Sequence, residues 1–202
     1  MMSQTTNTDS TAILHLIEEG TIGAEIGIWE GSTSAKLIKK KLKKFYMVDP
    51  YSIKGYIPAA EANDPTFSYE KYYQNYARMT GGSDPDSFNR YYDQVYNRVV
   101  KKFGGRPEVE IVRKNSTEWF NEFDGEKLDW IYVDGDHSYT GVINDLNNCL
   151  KVVKKGGIII GDDYKWGRDG DKGGVKKAVN EFVEKNNYEL VRHGMNQFSI
   201  EV

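Results

Sequence analysis

The chain has 202 residues, of which 39% are hydrophobic and 28% charged, with a formal net charge of −3. That length fits one domain with room for a substantial core, and the weakly acidic balance gives no general case for binding nucleic acid or an anionic membrane. A single cysteine, Cys149, excludes an intrachain disulfide framework and suits a reducing compartment. It lies in an amphipathic helix pattern, as a packed thiol rather than a nucleophile. No apolar run approaches the ~18 residues of a membrane span. Met1–Ser10 lacks the basic start and apolar centre of a signal peptide and reads as a polar tail, so the cytoplasm is the expected compartment.

In chain order, Thr11–Glu19 has apolar residues at 13, 14, 16 and 17 and predicts a short helix ended by Gly20. Gly23–Ile28 reads as a compact strand running into Trp29-Glu30-Gly31. Ser32, Thr33 and Ser34 are good helix caps, and the pattern predicts a helix over Ala35–Lys44. Its lysine-rich end, Lys39–Lys44, reads as a solvated helix terminus favoured by the dipole. Phe45–Val48 is a second strand closed by Asp49-Pro50, Val109–Val112 a third, Trp130–Val133 a fourth and Gly157–Ile160 a fifth. Between the last two, Ile143, Leu146, Leu150 and Val153 share a helix face, with Gly156-Gly157 as the stop. Val175, Ala178, Val179, Phe182 and Val183 mark another helix. Tyr188–Arg192 and Gln197–Val202 then read as strands around a turn at Gly194. Strands alternating with helices predict an α/β fold, a mostly parallel sheet with helices on both faces, and a single domain over residues 1–202.

One segment breaks the rhythm. Tyr51–Pro107 is far longer than an ordinary connection and holds nine of the fourteen tyrosines, at 51, 56, 69, 72, 73, 76, 91, 92 and 96. Spacings of three and four among Tyr69, Tyr72, Tyr73 and Tyr76, and again between Tyr92 and Tyr96, predict two helices. Gly81-Gly82-Ser83-Asp84-Pro85 is the turn between them. Residues 51–107 are therefore expected to be an inserted helical hairpin that caps a site or docks a second subunit as a homodimer. Packing onto the core accounts equally well for most of its tyrosines.

The chemistry-bearing residues fall at strand ends. Glu25-Ile26-Gly27-Ile28-Trp29-Glu30-Gly31 lies at the first strand-to-helix turn, where glycines allow close backbone approach and a helix start offers N–H groups. The spacing is not that of a dinucleotide fingerprint. Asp49 ends the next strand, 22 residues after Gly27, where an acid can hold ribose hydroxyls. Together these suit an adenosine ligand without phosphates. Two acidic clusters follow buried-looking strands: Val133-Asp134-Gly135-Asp136-His137-Ser138-Tyr139, and Gly161-Asp162-Asp163-Tyr164. In an open α/β sheet both would face one crevice, giving a hard-metal site with an imidazole beside it. Trp29 and Trp166 flank the motifs and are placed either to shield a ligand or to pack.

These motifs, with Val48-Asp49-Pro50-Tyr51 and Gly156-Gly157, resemble class I S-adenosylmethionine-dependent methyltransferases over roughly residues 20–202, apart from the Tyr-rich insertion. The nearest branch is the metal-dependent O-methyltransferases of the macrocin and macrolide-sugar type. The resemblance implies a Rossmann-like seven-stranded sheet with the last strand antiparallel. It implies Gly27 and Gly31 along the methionine part of the cofactor, with Glu25, Trp29, Ser32 and Thr33 in the same turn. Asp49 falls on the ribose, and Asn115 and Ser116 fall near the adenine. Asp134, Asp162 and Asp163 take the metal-ligand positions and His137 the general-base position. The catechol-type branch has lysine where His137 stands and asparagine where Asp163 stands, so the chain departs from it toward the sugar-modifying branch.

On that reading the reaction is methyl transfer from S-adenosylmethionine to a hydroxyl of a small molecule. A divalent cation, Mg²⁺ by the oxygen-rich donor set, would stabilise the developing alkoxide, and His137 would take the proton. Two alternatives compete. Asp134-Gly135-Asp136 also fits the D-x-D element of metal-dependent glycosyltransferases, and a non-catalytic cofactor-binding or assembly module would use the tyrosine hairpin as an interface. His15 and His193 read as structural.

Overall fold

The structure, a computed structural model, describes residues 12–52, 68–165 and 174–202. Seven strands form one sheet: β1 (Ile22–Ile26), β2 (Lys44–Val48), β3 (Val109–Val112), β4 (Leu128–Val133), β5 (Val153–Gly161), β6 (Val191–His193) and β7 (Gln197–Glu201). Their order is β3-β2-β1-β4-β5-β7-β6. The first five run parallel, β7 runs antiparallel to β5, and β6 pairs antiparallel with β7. This is the expected mostly parallel sheet with the last strand, β7, antiparallel, inserted between β5 and the edge strand β6.

Six helices connect the strands among the described residues: α1 (Ser34–Leu37), α2 (Tyr69–Thr80), α3 (Pro85–Phe103), α4 (Ser116–Glu122), α5 (Tyr139–Val152) and α6 (Val175–Asn186). They divide between the two faces by the alternation of strand side chains. From β4, Trp130 and Tyr132 join Leu37 of α1 and Val95 and Val99 of α3 in one buried cluster. Ile131 and Val133 join Leu146 and Cys149 of α5 and Ala178 and Phe182 of α6 in the other. Cys149 is wholly buried, as its position on the helix predicts.

The two helices read from the tyrosine spacing are present, and their boundaries follow from local chemistry. Ser68 caps α2 and accepts a bond from the Lys71 N–H, while Gly81 closes it in the left-handed region at φ 80°. Asp84 accepts from the Ser87 N–H to start α3, with Pro85 at the first turn. α3 buries Phe88, Tyr92, Val95, Val99 and Phe103, spaced by three and four, against the sheet. α2 buries none of its residues. It leans on α3 through Tyr72, Tyr73 and Tyr76, whose rings lie 5.7, 5.4 and 5.8 Å from that of Phe88. Tyr56 falls outside the described residues.

Several element boundaries differ from the sequence reading. The helix expected over Ala35–Lys44 is a single turn, α1, prolonged by a 3₁₀ turn at Ile38–Lys40. Lys41 then takes a left-handed conformation at φ 52°, and Lys43 donates to the Thr21 carbonyl, which swings the chain into β2 beside β1. The lysines here end on surface acids rather than on a helix terminus: Lys41 meets Glu19, Lys43 meets Glu126 and Lys44 meets Glu110. The N-terminal helix shrinks to a 3₁₀ turn at Leu14–Leu16, because Ile17 is already extended. Val153 is not the last residue of a helix face but the first of β5, paired with Leu128, and the register shifts before Ile158 meets Trp130.

Candidate functional site

The chain leaves β1 toward β2 and β3 on one side of the sheet and returns to β4 on the other, so the crevice at the carboxyl ends of β1 and β4 is the switch point where such sheets bind ligands. Gly27 sits at its floor with φ 88°, and a Cβ there would fall 2.0 Å from the Asp134 carbonyl oxygen. Gly31, at φ 71°, faces the Phe103 ring, 2.6 Å from where its Cβ would lie. Both positions therefore require glycine for protein packing alone. The Asp134 N–H donates to the Ile26 carbonyl at 2.8 Å, tying the ends of β4 and β1, and the Gly27 N–H donates to that of Val48 at 2.9 Å, tying β1 to β2.

Asp49 is buried and braces this turn. Its Oδ2 accepts from the Ile28 and Trp29 N–H groups, each at 3.0 Å, and its Oδ1 from that of Tyr51 at 2.8 Å. Trp29 takes the left-handed region at φ 44° and leaves its side chain 52% exposed, so it rims the crevice rather than filling the core. Tyr51, also left-handed, is buried and donates to the Trp29 carbonyl at 3.1 Å, and its own carbonyl accepts from Arg113 at 2.8 Å. Glu25 lies beneath the turn, accepting from the Ser34 hydroxyl at 2.5 Å. Burial pushes its pKa well up, the Ser34 bond works against this, and Asp134 and Asp49 add to it. Ser32 is exposed, and Thr33 precedes α1 without a side-chain cap bond.

On the β3 side, Asn115 forms a capping box with Glu118 at the start of α4. Ser116 donates to Asp145 at 2.6 Å. Asp145 belongs to α5 and is almost wholly buried. Burial pushes its carboxyl up to about 7, with the Ser116 bond opposing and Asp136 adding. Sequence reasoning missed it, because an aspartate at the inner face of an amphipathic helix was passed over for the apolar pattern around it.

The acidic clusters meet. Asp134, His137 and Asp163 each offer a donor atom within 4.8 Å of the others. His137 Nε2 lies 3.4 Å from Asp134 Oδ1 and 3.0 Å from Asp163 Oδ2. Burial disfavours the charged imidazole, but the hydrogen bonds and charges of the two carboxylates outweigh it and push its pKa up to about 10. Asp134 is itself raised to about 6, chiefly by burial, with His137 pulling it back and the charges of Asp162 and Asp163 opposing ionisation. Asp163 reaches the cluster from a left-handed backbone at φ 56°.

Asp162, expected beside Asp163, is turned elsewhere. Its Oδ2 accepts from the Tyr132 hydroxyl at 2.5 Å and from Gln197 Nε2 at 3.2 Å, and its Oδ1 accepts from the Asp163 N–H at 2.8 Å. Asp136 is also turned away from Asp134. Its oxygens accept from the Ser138 N–H and hydroxyl at 2.9 and 2.8 Å, and Ser138 in turn caps α5. The D-x-D pair therefore does not act as a unit. Tyr132 and Gln197 were not singled out from the sequence. The one sat within an apolar run, and the other opened a strand without a visible partner. Trp166 lies outside the described residues.

The residues from 24 to 164, which carry all of these groups but Gln197, match the family model described as a methyltransferase domain. The chain belongs to the methyltransferase-domain family. An uncharacterized protein of Acanthamoeba polyphaga mimivirus is 30% identical over 161 residues, covering 79% of this chain, which spans 58% of that relative's length. Among solved structures, a putative methyltransferase from Streptococcus mutans in complex with S-adenosylhomocysteine superposes with a TM-score of 0.54 at 10% identity, covering 100% of this chain and 99% of that one. The N-methyltransferase NodS from Bradyrhizobium japonicum gives 0.54 at 14% identity, covering 95% and 91%. A SAM-dependent O-methyltransferase from Thermotoga maritima gives 0.56 at 13% identity, covering 96% and 64%. These likenesses establish the methyltransferase fold, which N- and O-methylating proteins share. No helix among the described residues is long and apolar enough to cross a membrane.

Proposed function

We propose that this methyltransferase uses S-adenosylmethionine to methylate a hydroxyl of a small molecule, a sugar or natural-product-like acceptor, with a divalent cation at Asp134 and Asp163. The observation that carries the reading is the meeting of Asp134, His137 and Asp163 from two strand ends. Two carboxylates at one point suit a hard cation such as Mg²⁺, with the imidazole beside them for proton transfer. The strained backbone of Asp163 is spent on bringing its carboxylate to that point. A cation bound there would supply the positive charge that stabilises an alkoxide developing on the acceptor oxygen.

The chain's own residues do the rest. Gly27, Gly31 and the Asp49 brace shape the turn for the methionine and ribose parts of the cofactor, with Glu25, Trp29, Ser32 and Thr33 around it. The Asp49 carboxylate, held by three backbone N–H groups, would stand at the ribose. Asn115 and Ser116 border the adenine side. His137 stands at the carboxylates, whose hydrogen bonds and charges favour its protonated form; a cation on those carboxylates would oppose that effect and leave the imidazole to take the acceptor's proton, help typically worth ~10²–10⁴-fold. Burial pushes the Tyr72 phenol of α2 up to about 12, with Tyr76, Tyr73 and the charge of Asp136 adding to it, and we place α2 on the acceptor's side of the site. Its tyrosines thus offer a stacking wall for the acceptor.

Calorimetry tests the cofactor. S-adenosylhomocysteine should bind while uridine and guanosine diphosphates do not, and the reverse result would return the glycosyltransferase reading. A panel of hydroxylated acceptors with methyl-labelled cofactor then tests the reaction. Transfer that proceeds equally in chelator refutes the role of the cation.

A further inference from the structure

Buried Tyr132 and Gln197 and half-buried Asp162 form a polar triad beside the acidic cluster, contributed by β4, the start of β7 and the residue after β5. Gln197 Nε2 donates to the Tyr132 hydroxyl at 3.0 Å and to Asp162 Oδ2 at 3.2 Å, and the Tyr132 hydroxyl donates to the same oxygen at 2.5 Å. Because a carboxylate accepts and does not donate, the amide nitrogen must face Asp162 and the orientation of Gln197 is set. Its Oε1 is then turned to a place where it finds no hydrogen-bond partner among the described residues, although Gln197 is only 2% exposed. A buried acceptor without a partner is a cost that an apolar residue of similar shape would avoid. What that cost secures is the grip on Asp162.

The grip passes to the cluster through one bond. Asp162 Oδ1 accepts the Asp163 N–H at 2.8 Å, and this bond sits at the residue whose φ of 56° brings its carboxylate to 3.0 Å from His137. A left-handed aspartate is disfavoured against the ordinary extended or helical basins, and a fixed Asp162 oxygen gives its N–H a partner in that conformation. We infer that Tyr132 and Gln197 are positioning residues, which hold Asp162 so that Asp163 presents its carboxylate to the cation group. They touch neither cofactor nor acceptor in this role, and they act through Asp162 alone. The inference rests on the reading of Asp134, His137 and Asp163 as a cation site.

Outer-shell partners of this kind typically change metal affinity 10–100-fold. The test is Mn²⁺ titration of the full chain, read by loss of the free-ion paramagnetic resonance signal and without any turnover. Four variants are compared with the native protein: Tyr132→Phe, Gln197→Met, the double variant and Asp134→Asn. Tyr132→Phe and Gln197→Met should each raise the Mn²⁺ dissociation constant about 10–100-fold, with S-adenosylhomocysteine affinity unchanged. The double variant should lose no more than the worse single one, because both act through one carboxylate. Tyr132→Phe keeps the buried ring, so it reports even where Gln197→Met disturbs the strand. Native-like Mn²⁺ affinity in Tyr132→Phe, with Asp134→Asn failing to bind, overturns the positioning role and leaves the cation site standing. Absence of binding in the native protein overturns both.

Discussion

Asp134, half-buried, and Asp145, buried, are two carboxylates with opposite prospects. Asp134 sits among His137, Asp162 and Asp163, where its charge is needed. Asp134→Asn should therefore lower turnover by at least ~10²-fold, with S-adenosylhomocysteine affinity retained in calorimetry. His137→Ala should lower turnover ~10²–10⁴-fold if the imidazole is the base; a smaller loss would assign the proton to another group. Asp145 has the Ser116 hydroxyl and an apolar helix face. Its folded pKa, raised to about 7, exceeds the ordinary ~3.9, so its contribution to stability is full below pH ~4 and is lost as pH rises through 7. Asp145→Asn keeps an acceptor for Ser116 and removes the charge. It should stabilise the protein at pH 8, by an upper bound of about 4 kcal/mol, and leave it little changed at pH 4. Thermal melts at the two pH values decide, and equal shifts at both would place the ionisation elsewhere.

At the level of elements, what the sequence made legible was whatever carried a period. The apolar runs of β2, β3 and β4 and the three-and-four spacing of α2, α3 and α6 were readable because burial imposes them directly. Boundaries set by single backbone choices were not. Lys41 in the left-handed region cut a predicted helix to one turn, and Val153 left its helix to pair with Leu128. The site followed the same division. That Asp134, His137 and Asp163 would share a crevice could be read from strand ends. That Asp162 would turn to Tyr132 could not, since it depends on β7 docking beside β5. The β1 turn itself hangs on Asp49, whose three backbone bonds no pattern announces. Asp49→Ala would leave those N–H groups buried and unpartnered, at a cost on the order of 2–4 kcal/mol. Denaturant melts should show that loss, together with weakened S-adenosylhomocysteine binding. The hairpin has its own hinge. Phe88 is buried on α3 and is what Tyr72, Tyr73 and Tyr76 rest upon. In Phe88→Ala, amide exchange should accelerate throughout α2, while β1 and β4 keep their protection; uniform acceleration would mean that α2 unfolds only with the whole molecule.

For the whole molecule, the crevice concentrates negative charge. Glu25, Asp49, Asp134, Asp162 and Asp163 all stand at the carboxyl ends of four strands, in a chain whose net charge is only −3. Burial is the main cause that raises Glu25 and Asp134, and the neighbouring carboxylates add to it by opposing one another's ionisation. Ligands that bring positive charge relieve that opposition, and a sulfonium cofactor and a divalent cation both do so. Binding to the native state alone adds about 2.7 kcal/mol at a hundred dissociation constants of ligand, which for ~200 residues corresponds to a rise in melting temperature of roughly 5–10 °C. S-adenosylmethionine and Mn²⁺ should each raise the melting temperature, and together they should raise it further. Charge also makes the order of effects specific: S-adenosylmethionine should stabilise more than its neutral-sulfur product in metal-free protein, and the gap should narrow once Mn²⁺ is present. Equal stabilisation by the two cofactor forms at every Mn²⁺ concentration would separate the cofactor pocket from the acidic cluster electrostatically, and with it the single crevice on which the methyl-transfer reading depends.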